Sequence, residues 1–169
     1  MPTTSRGYVY PASTDHTRLW EHLQNLANSV NTDVTNLLGA WTAYVPVLGG
    51  TSWAIGNGST LGRYKLLGKT CFFRAQVTIG STTTKGTGGT QATVSLPVAA
   101  HASMEQQCSG SYLDVSGPAR GSVIGLILAG NNFASMYAGG AIGTGLVAAQ
   151  PITWATGDTF TIHGTYETA

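Results

Sequence analysis

Leu61–Ile79 reads LGRYKLLGKTCFFRAQVTI. Leu61–Leu67 is a strand-length run, Gly68-Lys69 is a two-residue interruption, and Thr70–Ile79 resumes with the apolar run Cys71, Phe72 and Phe73. A strand, a two-residue turn led by glycine and a second strand predict a β-hairpin. Upstream, Gly56-Asn57-Gly58-Ser59 is a turn signal, Ser52–Ile55 a short segment, and Gly49-Gly50 another turn. Trp41–Leu48 is a first strand in which Pro46 points to an edge or a bulge. Downstream, Gly80–Thr90 (GSTTTKGTGGT) is low in complexity. It is either a loop that binds something or, the preferred reading, a long mobile connection. Further strands are expected at Gln91–Leu96, Cys108–Val115, Ser122–Ala129 and Asn132–Tyr137, with His101–Gln107 irregular. Gly157-Asp158 turns into a last strand with Phe160, Ile162 and Tyr166 on one face and Thr159, Thr161, His163 and Thr165 on the other. About nine or ten strands in roughly 130 residues, with a turn signal about every 8–12, is the spacing of an antiparallel β-sandwich or jelly-roll-like domain.

Before this β region the period differs. Asp15–Leu38, DHTRLWEHLQNLANSVNTDVTNLL, has apolar residues at Leu19, Leu23, Leu26 and Val30, then at Val34, Leu37 and Trp41. The successive steps of four, Leu26–Val30–Val34, make a stutter in a heptad-like stripe. Gln24, Asn25, Asn28, Asn31 and Asp33 lie off the stripe, which is too narrow to cover a large sheet. Two readings stay open: an amphipathic helix packed on its own domain, or the seam of a short parallel coiled coil. Asp15 supplies N-terminal capping chemistry, Arg18 and Glu21 can pair, and Gly39 is the expected stop. Met1–Thr14 is expected to be extended, either a tail or an anchoring peptide whose aromatic part is Tyr8, Val9, Tyr10 and Pro11.

Composition narrows function more than it identifies it. Of 169 residues only 9% are charged and the net charge is +1, so neither nucleic acid nor an anionic membrane is an expected partner. With 23 glycines and 42% hydrophobic residues the chain suits tight turns and a polar but uncharged surface, as in an assembly whose neighbours cover it. The first residues lack the apolar core of a signal peptide, and no run reaches the length of a membrane span. Synthesis in a cytoplasm, with release by some route other than a secretion signal, is the expectation. Cys71 and Cys108 show no metal-ligand spacing and read as two buried thiols, a disulfide between them being the alternative. No cofactor, no metal and no catalytic residue is expected.

No paired-carboxylate, GxSxG, HExxH or Walker pattern occurs in the sequence. Gly139–Gly143 lacks the Lys-Ser/Thr pair of a phosphate loop. His16, His22 and His163 read as surface or interface histidines, and His101 near Ser103 and Glu105 is a weak cluster. Tyr44, Tyr64, Tyr112, Tyr137, Trp53 and Trp154 are candidates to line a carbohydrate site, with core or rim positions as the simpler reading.

The run AWTAYVPVLGGTSWAIGNGSTLGRYKLLGKTCFFRAQVTIGSTTTKGTGGTQATVSLP resembles a β-sandwich domain of tailed-bacteriophage virion proteins, mostly of phages of actinobacteria. These are known as minor tail, tail-fibre or head-fibre proteins. The likeness lies in the W…Y.P opening, GNGSTLGRY, the GK hairpin, GSTTT.GTGG, the SLP stop and the ending ITWATGDTFTIHGTYE, with a preceding YP…D…LWEHLQNLA helix.

The resemblance implies a homotrimeric fibre or knob and no catalytic residues. Its parts would be an attachment peptide at residues 1–14, a trimeric coiled-coil stalk at 15–39 and a β-sandwich knob at 41–169. The trimer interface would be Leu19, Leu23, Leu26, Val30, Val34 and Leu37, and Tyr8–Pro11 would dock on other virion proteins. A host cell-surface glycan is a further partner, and the virion, assembled in the host cytoplasm, is the location. Capsid decoration or a head fibre is the alternative, and a carbohydrate-binding module the third.

Overall fold

A computed structural model describes residues 4, 18–87, 89–117, 119–139 and 145–169. The chain divides into two units, Met1–Ala40 and Trp41–Ala169. The structure is mainly β, with one short helix and a curled antiparallel sheet.

In the second unit the described residues form nine strands. They are β1 (Thr42–Tyr44), β2 (Leu48–Gly49), β3 (Ser59–Leu67), β4 (Thr70–Thr78), β5 (Thr93–Ser95), β6 (Gln106–Leu113), β7 (Arg120–Ile127), β8 (Phe133–Ala138) and β9 (Thr159–Glu167). They join in one sheet of order β1-β3-β4-β9-β6-β7-β8-β5-β2. The predicted hairpin is β3–β4, and its turn is Gly68-Lys69. Gly68 has φ +59° while Lys69 is not in the left-handed region, the arrangement of a turn matched to strand twist. Register follows from the turn: Leu67 faces Thr70, and the pairing runs to Ser59 against Thr78.

The expected strand Trp41–Leu48 is in fact split. Thr42–Tyr44 pairs with β3 at one edge, and Leu48–Gly49 pairs with β5 at the other. Pro46 has no amide to continue a ladder, and the amide of Val47 donates instead to Ser95 Oγ at 2.8 Å. This split fixes the curl. Four residue steps from Tyr44 to Leu48 span at most about 14 Å. In a flat sheet of nine strands the edges would stand about 38 Å apart. The sheet must therefore wrap until its edges approach. Tyr44 covers Gly62, its partner across β1–β3, where a methyl group would strike the tyrosine ring and Pro46.

Alternation decides which side faces the core. Cys71, Phe73, Ala75 and Val77 of β4 are buried, as are Phe160, Ile162 and Tyr166 of β9, while Arg74, Gln76, His163 and Thr165 are exposed. Leu48, Val94, Val123, Ile127, Met136 and Trp154 complete the interior from the other strands and loops. The last strand lies centrally, paired with both β4 and β6. Asp158, fully buried just before it, accepts hydrogen bonds from the amides of Val115 (2.9 Å) and Ala155 (2.6 Å).

Gly80–Thr90 is tied to its surroundings rather than left as a mobile connection. Thr82 and Asn57 exchange hydrogen bonds with each other's amides at 2.9 Å, and Thr84 bridges Ala54. Thr83 is buried, with its hydroxyl accepting from the Gly80 amide at 2.8 Å. The Lys85 ammonium donates to the Trp154 carbonyl. The many threonines that made this stretch read as featureless are the groups that hold it.

In the first unit, α1 spans Leu19–Leu38. Arg18 and Glu21 pair at 3.4 Å, as their spacing predicts. The hydroxyls of Ser29 and Thr32 donate to the carbonyls of Asn25 and Asn28, so they are spent within the helix. Gly39 ends it as expected, with φ −58° and ψ 168°, an extended exit. Asp15 and the anchoring residues Tyr8–Pro11 lie outside the described residues.

Candidate functional site

Two places expose side chains that folding alone gives no reason to expose. The first is the stripe of α1. Leu19, Leu23, Val30, Val34 and Leu37 keep between 40% and 55% of their surface exposed in the single chain, and Leu26 is half-buried. Trp20 and Leu38 are exposed as well, and His22 is buried.

The second is the outer face of the sheet where β3, β4 and β9 run side by side. Arg63 sits directly opposite Arg74, and Arg74 directly opposite His163. The row continues to Ala43 on β1 and to Ser109 on β6. Facing residues in such a row have Cβ atoms about 4.5–5.5 Å apart, and like charges placed so destabilise the pair. Trp41, just before β1, lies over Arg74 with its ring centre 4.7 Å from the guanidinium carbon. The next row carries Leu61, Gln76 and Thr161, and Thr161 Oγ1 lies 3.3 Å from Ser111 Oγ. Trp41, Leu61, Arg63, Arg74, Gln76, Thr161 and His163 line a groove of about 590 Å³ with no acidic side chain in its wall. Glu167 is the acidic residue of β9; it stands four positions from His163, about 13 Å along the strand.

The aromatic residues singled out in the sequence lie elsewhere. Trp53 and Trp154 are buried and donate to the carbonyls of Thr90 (2.9 Å) and Val147 (3.1 Å). Tyr44 and Tyr64 meet edge to face at 5.9 Å, and Tyr112 packs on Trp154. The sequence places Trp41 at the end of the helical stripe and the start of the first strand, whereas the structure makes it part of the groove wall, over Arg74. His101 Nδ1 accepts from the backbone amide of Ser103 at 3.3 Å, so the serine hydroxyl is not what it engages. Among the described residues no group of three His, Cys, Asp or Glu side chains could hold a metal ion, and no helix is long and apolar enough to cross a membrane.

Cys71 and Cys108 are free and buried. Burial pushes both thiols up, Cys108 to about 12. Neither forms appreciable thiolate at neutral pH, so neither is a nucleophile there. Dithionitrobenzoate at pH 8 is expected to titrate no thiol in the native chain and both in guanidinium. A folded value above the unfolded one near 9 stabilises below pH 9 and is lost as pH rises toward about 12. The urea midpoint should accordingly fall over that interval, and less steeply in Cys108→Ala.

No protein-family model matches the chain, and neither does any curated protein or solved structure.

Proposed function

We propose that the chain is a non-enzymatic structural protein of a bacteriophage virion, a homotrimeric tail-fibre or tail-tip component with a β knob at its outer end. The observation that carries this reading is the exposed apolar stripe of α1. A helix draws most of its stability from packing of its apolar face, and α1 is no exception at 20 residues rich in asparagine and threonine. Leucines and valines left about half exposed at heptad-like spacing give it no compensation until a partner covers them. Two sister helices are the partner that the narrow stripe fits, because each needs only a thin seam. Leu19, Leu23, Leu26, Val30, Val34 and Leu37 then form the interface, residues 1–14 attach to other virion proteins, and the knob is free to meet a host surface. The resemblance of the GNGSTLGRY and ITWATGDTFTIHGTYE segments to phage virion domains supplies the biological setting. Core residues of β4 and β9 and of β8, β5 and β2 belong to one buried cluster, which supports a sandwich-like closure. Light scattering on the purified chain at micromolar concentration is expected to give the mass of three chains of 17.5 kDa. A single-chain mass would overturn the trimer.

A further inference from the structure

We infer that the groove across β3, β4 and β9 binds an anionic glycan, with Arg63 and Arg74 engaging its carboxylate or phosphate groups and Trp41, just before β1, as the stacking wall. This deepens the reading of the knob as the part that meets a host surface, on which it rests for its setting, and it stands whether or not the chain forms trimers. The chain has eight Lys and Arg residues in all, yet two arginines and a histidine occupy consecutive positions of one cross-strand row. The Trp41 ring accounts for Arg74 alone; the side chains point away from the core, and the two facing arginines work against the sheet. An anion seated between them reverses the sign of that interaction.

The details favour a saccharide. Arg74 holds its guanidinium carbon 4.7 Å from the Trp41 ring centre, a contact that uses none of its N–H donors in a hydrogen bond and so keeps them for a planar carboxylate or a phosphate. Gln76, Thr161 and Thr165 place amide and hydroxyl groups in the same groove, suited to sugar hydroxyls. A volume of about 590 Å³ takes a short oligosaccharide. Nucleic acid fits less well, because a net charge of +1 offers no extended basic track beyond this row.

The test is calorimetric titration of the full chain with tetragalacturonate, with a glycerol-phosphate oligomer, with maltotetraose as the uncharged control and with an oligothymidylate. At least one anionic glycan should bind with a Kd below about 1 mM, weakening as salt rises from about 50 to 300 mM; which of the two binds distinguishes carboxylate from phosphate. Maltotetraose should not bind, and Arg63→Gln/Arg74→Gln should weaken binding roughly tenfold or more while its melting temperature holds or rises. Should the double variant fail to fold, Arg63→Gln alone should weaken binding in the same direction. Failure of both anionic glycans to bind, equal binding of maltotetraose, tighter binding of oligothymidylate, or undiminished binding by the folded variants would overturn the site. Scattering on the same sample reads the trimer separately, so the loss of one proposal is not mistaken for the loss of the other.

Discussion

Trp154→Ala is expected to cost about 4 kcal/mol, a large part of the total stability of a domain this size. The side chain is almost wholly buried and touches Phe160 and Tyr112, with ring centres 5.6 and 6.2 Å away. Its indole N–H donates to the Val147 carbonyl at 3.1 Å and, more weakly, to the Gln150 carbonyl at 3.4 Å. Its own carbonyl accepts from Lys85. One residue thus joins the interior beneath β9 to the Gly80–Thr90 loop and to the segment before the last strand. Alanine removes the ring, opens a cavity and takes the indole donor from two carbonyls that keep only each other's backbone amides. With a denaturant dependence of about 2 kcal/mol per molar urea, the midpoint should drop by about 2 M. Trp41→Ala removes the same ring from a half-exposed place and should shift the midpoint by less than about 0.5 M. Equal shifts in the two variants would mean that Trp154 is not the centre of the core. Trp154→Phe keeps most of the volume and loses the hydrogen bonds, so it should fall between them.

Much of the β unit was legible because its signals are local. The Gly68-Lys69 turn fixes a two-residue connection, and counting outward from Leu67 and Thr70 sets Arg63 against Arg74. That part of the groove was therefore within reach of the sequence. His163 was not, since its place beside Arg74 depends on a pairing with a strand nearly a hundred residues away. The same limit hid the fate of Trp41–Leu48. Its composition reads as one strand, and only the ladder shows that its halves serve opposite edges. Local chemistry also misled where hydrogen bonding was long-range. Thr82, Thr83 and Thr84 read as loop filler, but their partners are Asn57, Ile55 and Ala54 on a separate segment. On the helix, the stripe was legible as a pattern, and most of its residues stay exposed in the single chain.

Leu23→Asp with Leu26→Asp addresses that stripe and should abolish the proposed trimer while leaving the β unit folded. Leu23 is 55% exposed in the single chain and Leu26 half-buried. Each therefore has about 1 kcal/mol of apolar burial still to gain from sister helices. The larger effect is electrostatic. Three copies would bring six carboxylates into one narrow seam, where desolvation and mutual repulsion both oppose assembly. Scattering should fall from three chains to one of 17.5 kDa at micromolar concentration. Far-ultraviolet circular dichroism should lose helical signal, because a lone helix of this composition is not self-sustaining. Near-ultraviolet signal from the buried Trp53 and Trp154, and the melting transition that follows it, should persist. These readouts separate the two readings of the helix. In a coiled coil the damage stays in the stalk, since the core residues of the sheet come from Leu48 onward. If the variant instead loses its near-ultraviolet signal and unfolds throughout, α1 is a packing element of the β unit, and the six stripe residues belong to a core rather than to an interface.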